Sequence, residues 1–295
     1  MKPARPPFAG SSGAEAAGAD VVVWGVPTDC GAGTGRLGAA GGPRAIRAAS
    51  NIWNTVRTSS GYEFPKHGRL ADLGDLDLAR VPRDRVHEAI RAGAPELAPG
   101  RLTVAIGGDH SVTLPILEAS PETWALVYLD AHPDCIDHYR GDRRSHACTL
   151  RRLVEAGRVD PAKSTVLGMR APEAEEVEWL AARGVRAITA WEVRDAGIEA
   201  ACRSALRRAG TAPLYLSIDM DVLDAGCVPG VENPEPGGLS SAEALWASSA
   251  LAPRARAADL VEVTGDCDPA GITAKTAARM LIDVVGAFLR ARQEG

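Results

Sequence analysis

An α/β domain built on a parallel sheet is what this chain's hydrophobic pattern predicts. Short apolar runs recur along its 295 residues, several are continuous rather than alternating, and helix-like segments separate most of them. Continuous runs mark strands buried on both faces, as parallel sheets require when crossover helices cover both sides. Regular alternation of strands and helices points to this class rather than to segregated α and β regions.

The expected strands are Val21–Val26, Arg69–Asp72, Leu102–Ile106, Ala125–Leu129, Thr165–Leu167, Val185–Ile188, Leu214–Ile218 and Leu260–Val263. The clearest helix is Thr273–Arg292, where Ala277, Met280, Leu281, Val284, Val285, Phe288 and Leu289 line one face. Another begins near Ser240, with Glu243 three residues on as a capping box. Eight strands could close into a barrel or stay open and doubly wound, and spacing alone does not choose. Residues 1–18, rich in Pro, Gly, Ala and Ser, read as a flexible N-terminal tail. No linker or internal repeat follows, so 19–295 reads as a single domain.

Composition excludes several function classes. Hydrophobic residues make up 45% and charged residues 24%, ordinary for a globular protein. The net charge of −5, without any basic block, makes nucleic acid and anionic membrane poor partners. No apolar stretch approaches the roughly 20 residues that span a bilayer, and the N-terminus lacks a signal-peptide core. The six cysteines form no C-x-x-C pair. In so large a chain they read as reduced thiols of a cytoplasmic protein.

Three acid-and-histidine clusters stand just after apolar runs: GGDHS at Gly107–Ser111, DAHPD at Asp130–Asp134 and SIDMD at Ser217–Asp221. In extended backbone, residues two apart share a face. Asp130, His132 and Asp134 are therefore expected to project together, as are Asp219 and Asp221. With His110 they make six candidate ligands, four carboxylates and two imidazoles. One tetrahedral zinc uses fewer, and the oxygen-rich mixture favours a harder ion such as manganese. Four Asp charges match two divalent cations, so the pattern reads as a two-metal hydrolytic site. A bare D-x-H-x-D can arise in any loop, but here the apolar run stops at the first Asp and Pro133 cannot continue a helix. A lone D-x-D also holds a metal and a nucleotide sugar in glycosyltransferases, a reading that leaves His110, His132 and Asp134 without a task. Asp109 reads as a helix cap.

Two further residues stand out. Glu262 lies in the apolar segment Leu260–Thr264, where a carboxylate either meets a cation or faces solvent. His146 sits on the loop after DAHPD, where exposure is the plainer reading. Gly33–Gly38 matches G-x-G-x-x-G, yet Pro27 and six residues separate it from its strand, and more glycines with Pro43 precede any helix. A dinucleotide loop must lead straight into its helix, so this reads as an active-site or interface loop.

Together the clusters resemble the ureohydrolases, the arginase and agmatinase family of binuclear manganese enzymes, and agmatinase-like members above all. GGDHS, DAHPD, SIDMDVLD with NPEPGGL at Asn233–Leu239, and the VEV segment follow the family's order, and Gly33–Arg47 looks like its N-terminal glycine loop and helix. The resemblance covers roughly residues 20 to 290. It implies an open three-layer α/β/α sandwich around an eight-stranded parallel sheet, and two Mn2+ per subunit. His110 and Asp134 would hold one ion, His132 and Asp221 the other, with Asp130 and Asp219 bridging. Glu262 would engage the substrate's guanidinium and His146 would shuttle protons. A homotrimer or homohexamer is also implied. Ala147 and Cys148 depart from the Gly-Thr usual in agmatinase-type members, Asp224–Cys227 departs from the common Asp-Pro version, and Cys135 stands in a variable position beside a ligand.

A guanidinium carbon resists attack because three nitrogens share its charge. A metal-activated water answers that difficulty, with Asp134 passing a proton to the departing amine. The expected reaction releases urea and a primary amine from a small guanidino substrate. Gly141–Ser145 does not resemble the Asn-containing stretch by which arginases read an amino acid, so agmatine is favoured. Arg143 and Arg144 keep guanidinobutyrate-like or guanidinopropionate-like acids open, and arginase or formiminoglutamase activity belongs to the same chemistry. The rival from another class is a non-catalytic relative that only binds a ligand.

Overall fold

The computed structural model describes residues 1–11, 16–33, 36–53, 56–64 and 69–294. All eight expected strands form, and they make one parallel sheet: β1 (Val21–Gly25), β2 (Leu70–Asp75), β3 (Leu102–Ile106), β4 (Ala125–Leu129), β5 (Thr165–Met169), β6 (Arg186–Thr189), β7 (Leu214–Asp219) and β8 (Ala255–Val261). The order across the sheet is β2-β1-β3-β8-β7-β4-β5-β6 with distinct edge strands, so the sheet is open rather than a barrel. Two short strands, Val56–Arg57 and Glu63–Phe64, pair antiparallel outside it.

Alternate strand residues enter two separate cores, which is why the apolar runs are continuous. Ala125, Val127 and Leu129 of β4 join one cluster with residues of α1 (Gly42–Ser50), α6 (Ala190–Ala196), α7 (Ile198–Ala209), α8 (Ser241–Leu251) and α9 (Ile272–Glu294). Leu126 and Tyr128 join the other, with residues of α2 (Val86–Gly93), α3 (Thr113–Glu118), α4 (Thr149–Glu155) and α5 (Ala174–Arg183). Helix layers thus cover both faces. The long terminal helix matches its expected apolar face, and Ser240 caps α8 with the expected Glu243 reciprocity. No described helix is long and apolar enough to cross a membrane.

Two expectations change. Residues 1–11 are not a loose tail. Lys2 bridges Asp75 in antiparallel fashion, Phe8 is fully buried, and the Phe8 amide donates to Asp72 at 2.7 Å. Apolar Phe8 and satisfied backbone groups outweigh the Pro and Gly content. Ser12–Glu15 of that segment lie outside the described residues. The last strand begins earlier than expected and ends at Val261, so Glu262 lies just past it and not inside.

Arg47 of α1 ties the helix layer to the sheet edge. It is 1% exposed and forks onto Asp72 at 2.8 and 2.9 Å, with Asp75 beside it. Removing one partner of a buried pair strands the other charge, at a cost of about 3–5 kcal/mol. Arg47→Ala is expected to lose that much in urea unfolding, far more than a surface arginine such as Arg203→Ala.

Candidate active site

The central neighbours β3, β8, β7 and β4 end at one level, with Leu260 paired to Ile106 and Ile218, and Ile218 paired to Leu129. The last residue of β7 and the segments following these four strands carry every candidate named from the sequence, at the carboxyl edge where open α/β sheets place their sites. Strand pleating is not what makes the clusters converge. Asp130–Asp134 lies wholly beyond β4, and Asp221 lies in a 3-10 turn beyond β7. In all three clusters an Asp side chain folds the chain back by accepting the amide two residues on: Asp109 from Ser111 (2.9 Å), Asp130 from His132 (2.6 Å) and Asp219 from Asp221 (2.7 Å). Such Asx turns let a strand end without leaving its amides unpaired. Asp109 is structural, as expected, and also accepts the Gly31 amide.

His110 Nδ1 lies 3.0 Å from Asp130 Oδ2, 3.0 Å from Asp219 Oδ2 and 3.3 Å from Asp134 Oδ2. His132 Nδ1 lies 3.0 Å from Asp221 Oδ2 and 3.6 Å from Asp130 Oδ1. Asp130 thus presents one oxygen to each half of the constellation, and the two halves are two groups able to hold a cation. Donors about 2.1 Å from a small cation and at right angles lie about 3.0 Å apart, the spacing seen. Asp219 faces the His110 half, while its other oxygen is taken by the Asp221 amide.

The hydrogen bonds behind the candidate ligands decide how they point. Asp259, fully buried in mid-β8, accepts from Ser217 (2.6 Å), Thr113 (2.7 Å) and Tyr215 (2.7 Å). Since Ser217 gives its proton to Asp259, its oxygen accepts from His110 Nε2 at 2.8 Å. Nδ1 is left facing the carboxylates, and His110 Nδ1 and Asp130 Oδ2 are buried without a hydrogen-bond partner. Tyr128 stacks on the His110 ring at 4.3 Å and donates to Asp134 at 2.8 Å. Burial and the charges of Asp221 and Asp130 hold Asp219 well above the usual carboxylate range. Burial opposes a charge on His110, yet Asp130 and Asp219 outweigh it and raise its pKa. The cluster calls for positive charge at its centre, and its donor set fits hard divalent cations.

His146 is not an exposed loop residue. It is 7% exposed, and its Nδ1 lies 3.2 Å from Glu262 Oε1 and 3.7 Å from Glu232 Oε2. Glu232 escaped the sequence reading, although it directly precedes the NPEPGGL segment. Its position among glycines and prolines gives no periodicity by which burial can be read. Asp259 escaped for a similar reason, because the strand was expected to start after it. Glu262 Oε1 also accepts the His110 amide at 2.8 Å, while its Oε2 is buried without a partner. Asp134 and Glu262 both adopt left-handed backbone, φ 51° and 64°, an unfavoured state for a glutamate that accumulates at functional sites. Burial, with the charges of Asp109 and Glu232, lifts Glu262 to about 7 against the opposing pull of His146. Burial disfavours charge on His146, but Glu262, Asp134 and Glu232 push it up to about 10.

A cavity of about 150 Å³ opens over these groups, walled by Ile136, Tyr139, Ala147, Ala171, Glu173 and Asn233. No Lys or Arg lines it among the described residues. Arg143 instead meets Asp137 and Glu155, and Arg144 lines a different cavity with Cys30 and His87. Of the departures noted, only Ala147 reaches this cavity, since Cys148 contacts Asp142 O and Cys135 contacts Glu176 O. All six cysteines are free. Gly33 donates to Glu232 at 3.3 Å, which places that end of the glycine motif beside the site, and Thr34 and Gly35 lie outside the described residues.

The fold and the clustered carboxylates and histidines define a metal-dependent hydrolase. The arginase family's sequence profile matches residues 19–286. Among curated proteins, the chain is 35% identical over 268 residues to a guanidinopropionase of Pseudomonas aeruginosa, covering 88% of this chain and 84% of that one. It is 32% identical over 284 residues to an agmatinase of Escherichia coli, covering 94% and 89%. Among solved structures, the proclavaminate amidino hydrolase of Streptomyces clavuligerus superposes with a TM-score of 0.88 at 30% identity, covering 97% of each chain. The chain belongs to the arginase family of hydrolases, which act on amidino C–N bonds.

Partners behind a metal-binding histidine typically govern affinity by about 10–100-fold. Ser217→Ala is expected to weaken divalent-cation binding in that range by equilibrium dialysis, with little change in the unfolding midpoint of the cation-free protein.

Proposed function

We propose that this chain hydrolyses a linear guanidino compound to urea and a primary amine with a pair of manganese ions, and that the substrate carries a cationic tail, as agmatine does. The observation carrying this reading is the buried, unpartnered Oε2 of Glu262, beside His146 and over a cavity lined by carboxylates and histidines, with no Lys or Arg among its described lining residues. His110 and Asp134 would hold one ion, His132 and Asp221 the other, with Asp130 and Asp219 shared. When bound, the ions would supply Lewis acidity and lower the pKa of a water from 15.7 toward about 7.

The protein's own residues then have separate tasks. Glu262 pairs with the guanidinium through its free oxygen, a charge-assisted contact that fixes the central carbon. Asp134, oriented by Tyr128, takes up the proton released on attack and delivers it to the departing amine. His146 keeps a proton in reserve at Nδ1 between Glu262 and Glu232. Ile136, Tyr139 and Ala147 exclude water from the methylene chain. Glu173, an exposed residue of the cavity wall, offers a negative charge to an amine, whereas a carboxylate tail would meet repulsion. The guanidinopropionase relative keeps the carboxylate-tailed alternative in view.

Urea release from agmatine, arginine, guanidinobutyrate, guanidinopropionate and formiminoglutamate, assayed with manganese bound, tests the reaction and its substrate together. Agmatine is expected to lead the panel. A guanidino acid in first place would overturn the cationic-tail reading, and no urea from any member would overturn the activity.

Asp134→Asn is expected to lower kcat by about 10²–10⁴. Glu262→Gln should lower kcat/KM by about 10–100-fold with manganese content unchanged. Glu262 must be ionised and His146 protonated. The wild-type kcat/KM profile should therefore fall as pH drops through about 7 and fall again as it rises through about 10. The alkaline limb should vanish in His146→Asn.

A further inference from the structure

Arg170, just past β5, ends among backbone carbonyls and not against a carboxylate. Its Nε donates to Pro236 O at 3.0 Å, and its Nη1 to Gly168 O at 3.3 Å and Val222 O at 3.2 Å. Its Nη2 donates to Asp221 O at 2.7 Å, Leu223 O at 3.1 Å and Glu235 O at 2.8 Å. Six acceptors on three chain segments therefore converge on one planar group whose donors point in fixed directions. The segments are the end of β5, the turn after β7 that carries Asp221, and the loop at 235–236. The fit is close: a Cβ at Gly238 would stand 2.7 Å from Arg170 Nη2 and 2.6 Å from the Asp224 amide nitrogen, so only glycine lets the loop pass.

What Arg170 grips belongs to one half of the candidate metal centre. Asp221 faces His132 Nδ1 at 3.0 Å, and Glu235, held through its carbonyl, sets its Oε1 3.8 Å from His132 Nε2. The other half is supported from elsewhere. Ser217 and Asp259 orient His110, and Tyr128 orients Asp134. None of these contacts involves Arg170.

We propose that Arg170 is a positioning residue of the His132–Asp221 cation site, holding the turn whose Asp221 carboxylate also accepts the Ala131 amide at 3.1 Å. By fixing the carbonyls of residues 221–223 and 235–236 it holds Asp221 at ligand distance from His132, and its loss loosens that site while sparing the His110–Asp134 site. This rests on the two-cation reading above.

The test titrates Mn2+ into chelator-treated full-length protein, following bound ion by equilibrium dialysis and ion–ion coupling by electron paramagnetic resonance, without reference to turnover. Wild type is expected to bind two ions and give a coupled spectrum. Arg170→Met should bind the first ion at wild-type affinity and the second about 10–100-fold more weakly, with an isolated-ion spectrum at one equivalent. Arg170→Lys, which keeps the charge but only three donors, should fall between. Two ions bound with wild-type affinity by these variants would overturn the proposal, as would equal weakening of both sites, which marks a merely structural clamp. If Arg170→Met does not fold, Arg170→Lys is judged by the same two criteria. A wild type that binds one ion would overturn the two-cation reading itself, and the Arg170 proposal with it.

Discussion

Four aspartates enclosed where four adjacent strands end impose the constraint on which the rest of this protein depends. Asp130, Asp134, Asp219 and Asp221 are each 8% exposed or less, the first three within 3.3 Å of His110 and the last 3.0 Å from His132. Like charges so close in a low-dielectric site cannot all ionise without positive charge among them. The surrounding architecture serves this arrangement. Both helix layers exclude water from the strands, and the order β3-β8-β7-β4 brings together turns that are far apart in the chain.

One local device recurs at each turn. An aspartate accepts the amide two residues on, which stops the strand and aims the next polar side chain inward. In Asp130 and Asp219 the same carboxylate also faces a histidine, so the turn and the candidate ligand are a single group. Support behind the candidate ligands is divided: hydroxyls gathered on Asp259 steady His110, and a guanidinium gathered on carbonyls steadies the Asp221 turn. Both exploit strong hydrogen bonding where water does not compete.

Charge also governs the outer cavity. Arg143 and Arg144, on the loop just before His146, turn to acidic neighbours and to another cavity. Glu173, Glu176 and the buried Glu262 line the cavity instead. Relatives of comparable identity bear names of different guanidino substrates, so overall similarity carries less information about the tail than these few lining residues.

By itself, the sequence determined the fold class, the eight strands and the six acid and histidine candidates, because continuous apolar runs and strand-end motifs are local and survive without the partners they meet. The resemblance, not the spacing, chose an open sheet over a barrel. Only the tertiary structure decided the rest. Glu232 and Asp259 gain their meaning from residues 86 and 42 positions away, His146 and Glu232, Ser217 and Asp259 being separated by those distances in the chain. The burial of His146, the docking of Phe8 and the grip of Arg170 likewise depend on segments brought together by the strand order. Long-range contacts of this kind leave no periodic trace, since a polar side chain on a loop reads the same whether it meets water or a buried partner.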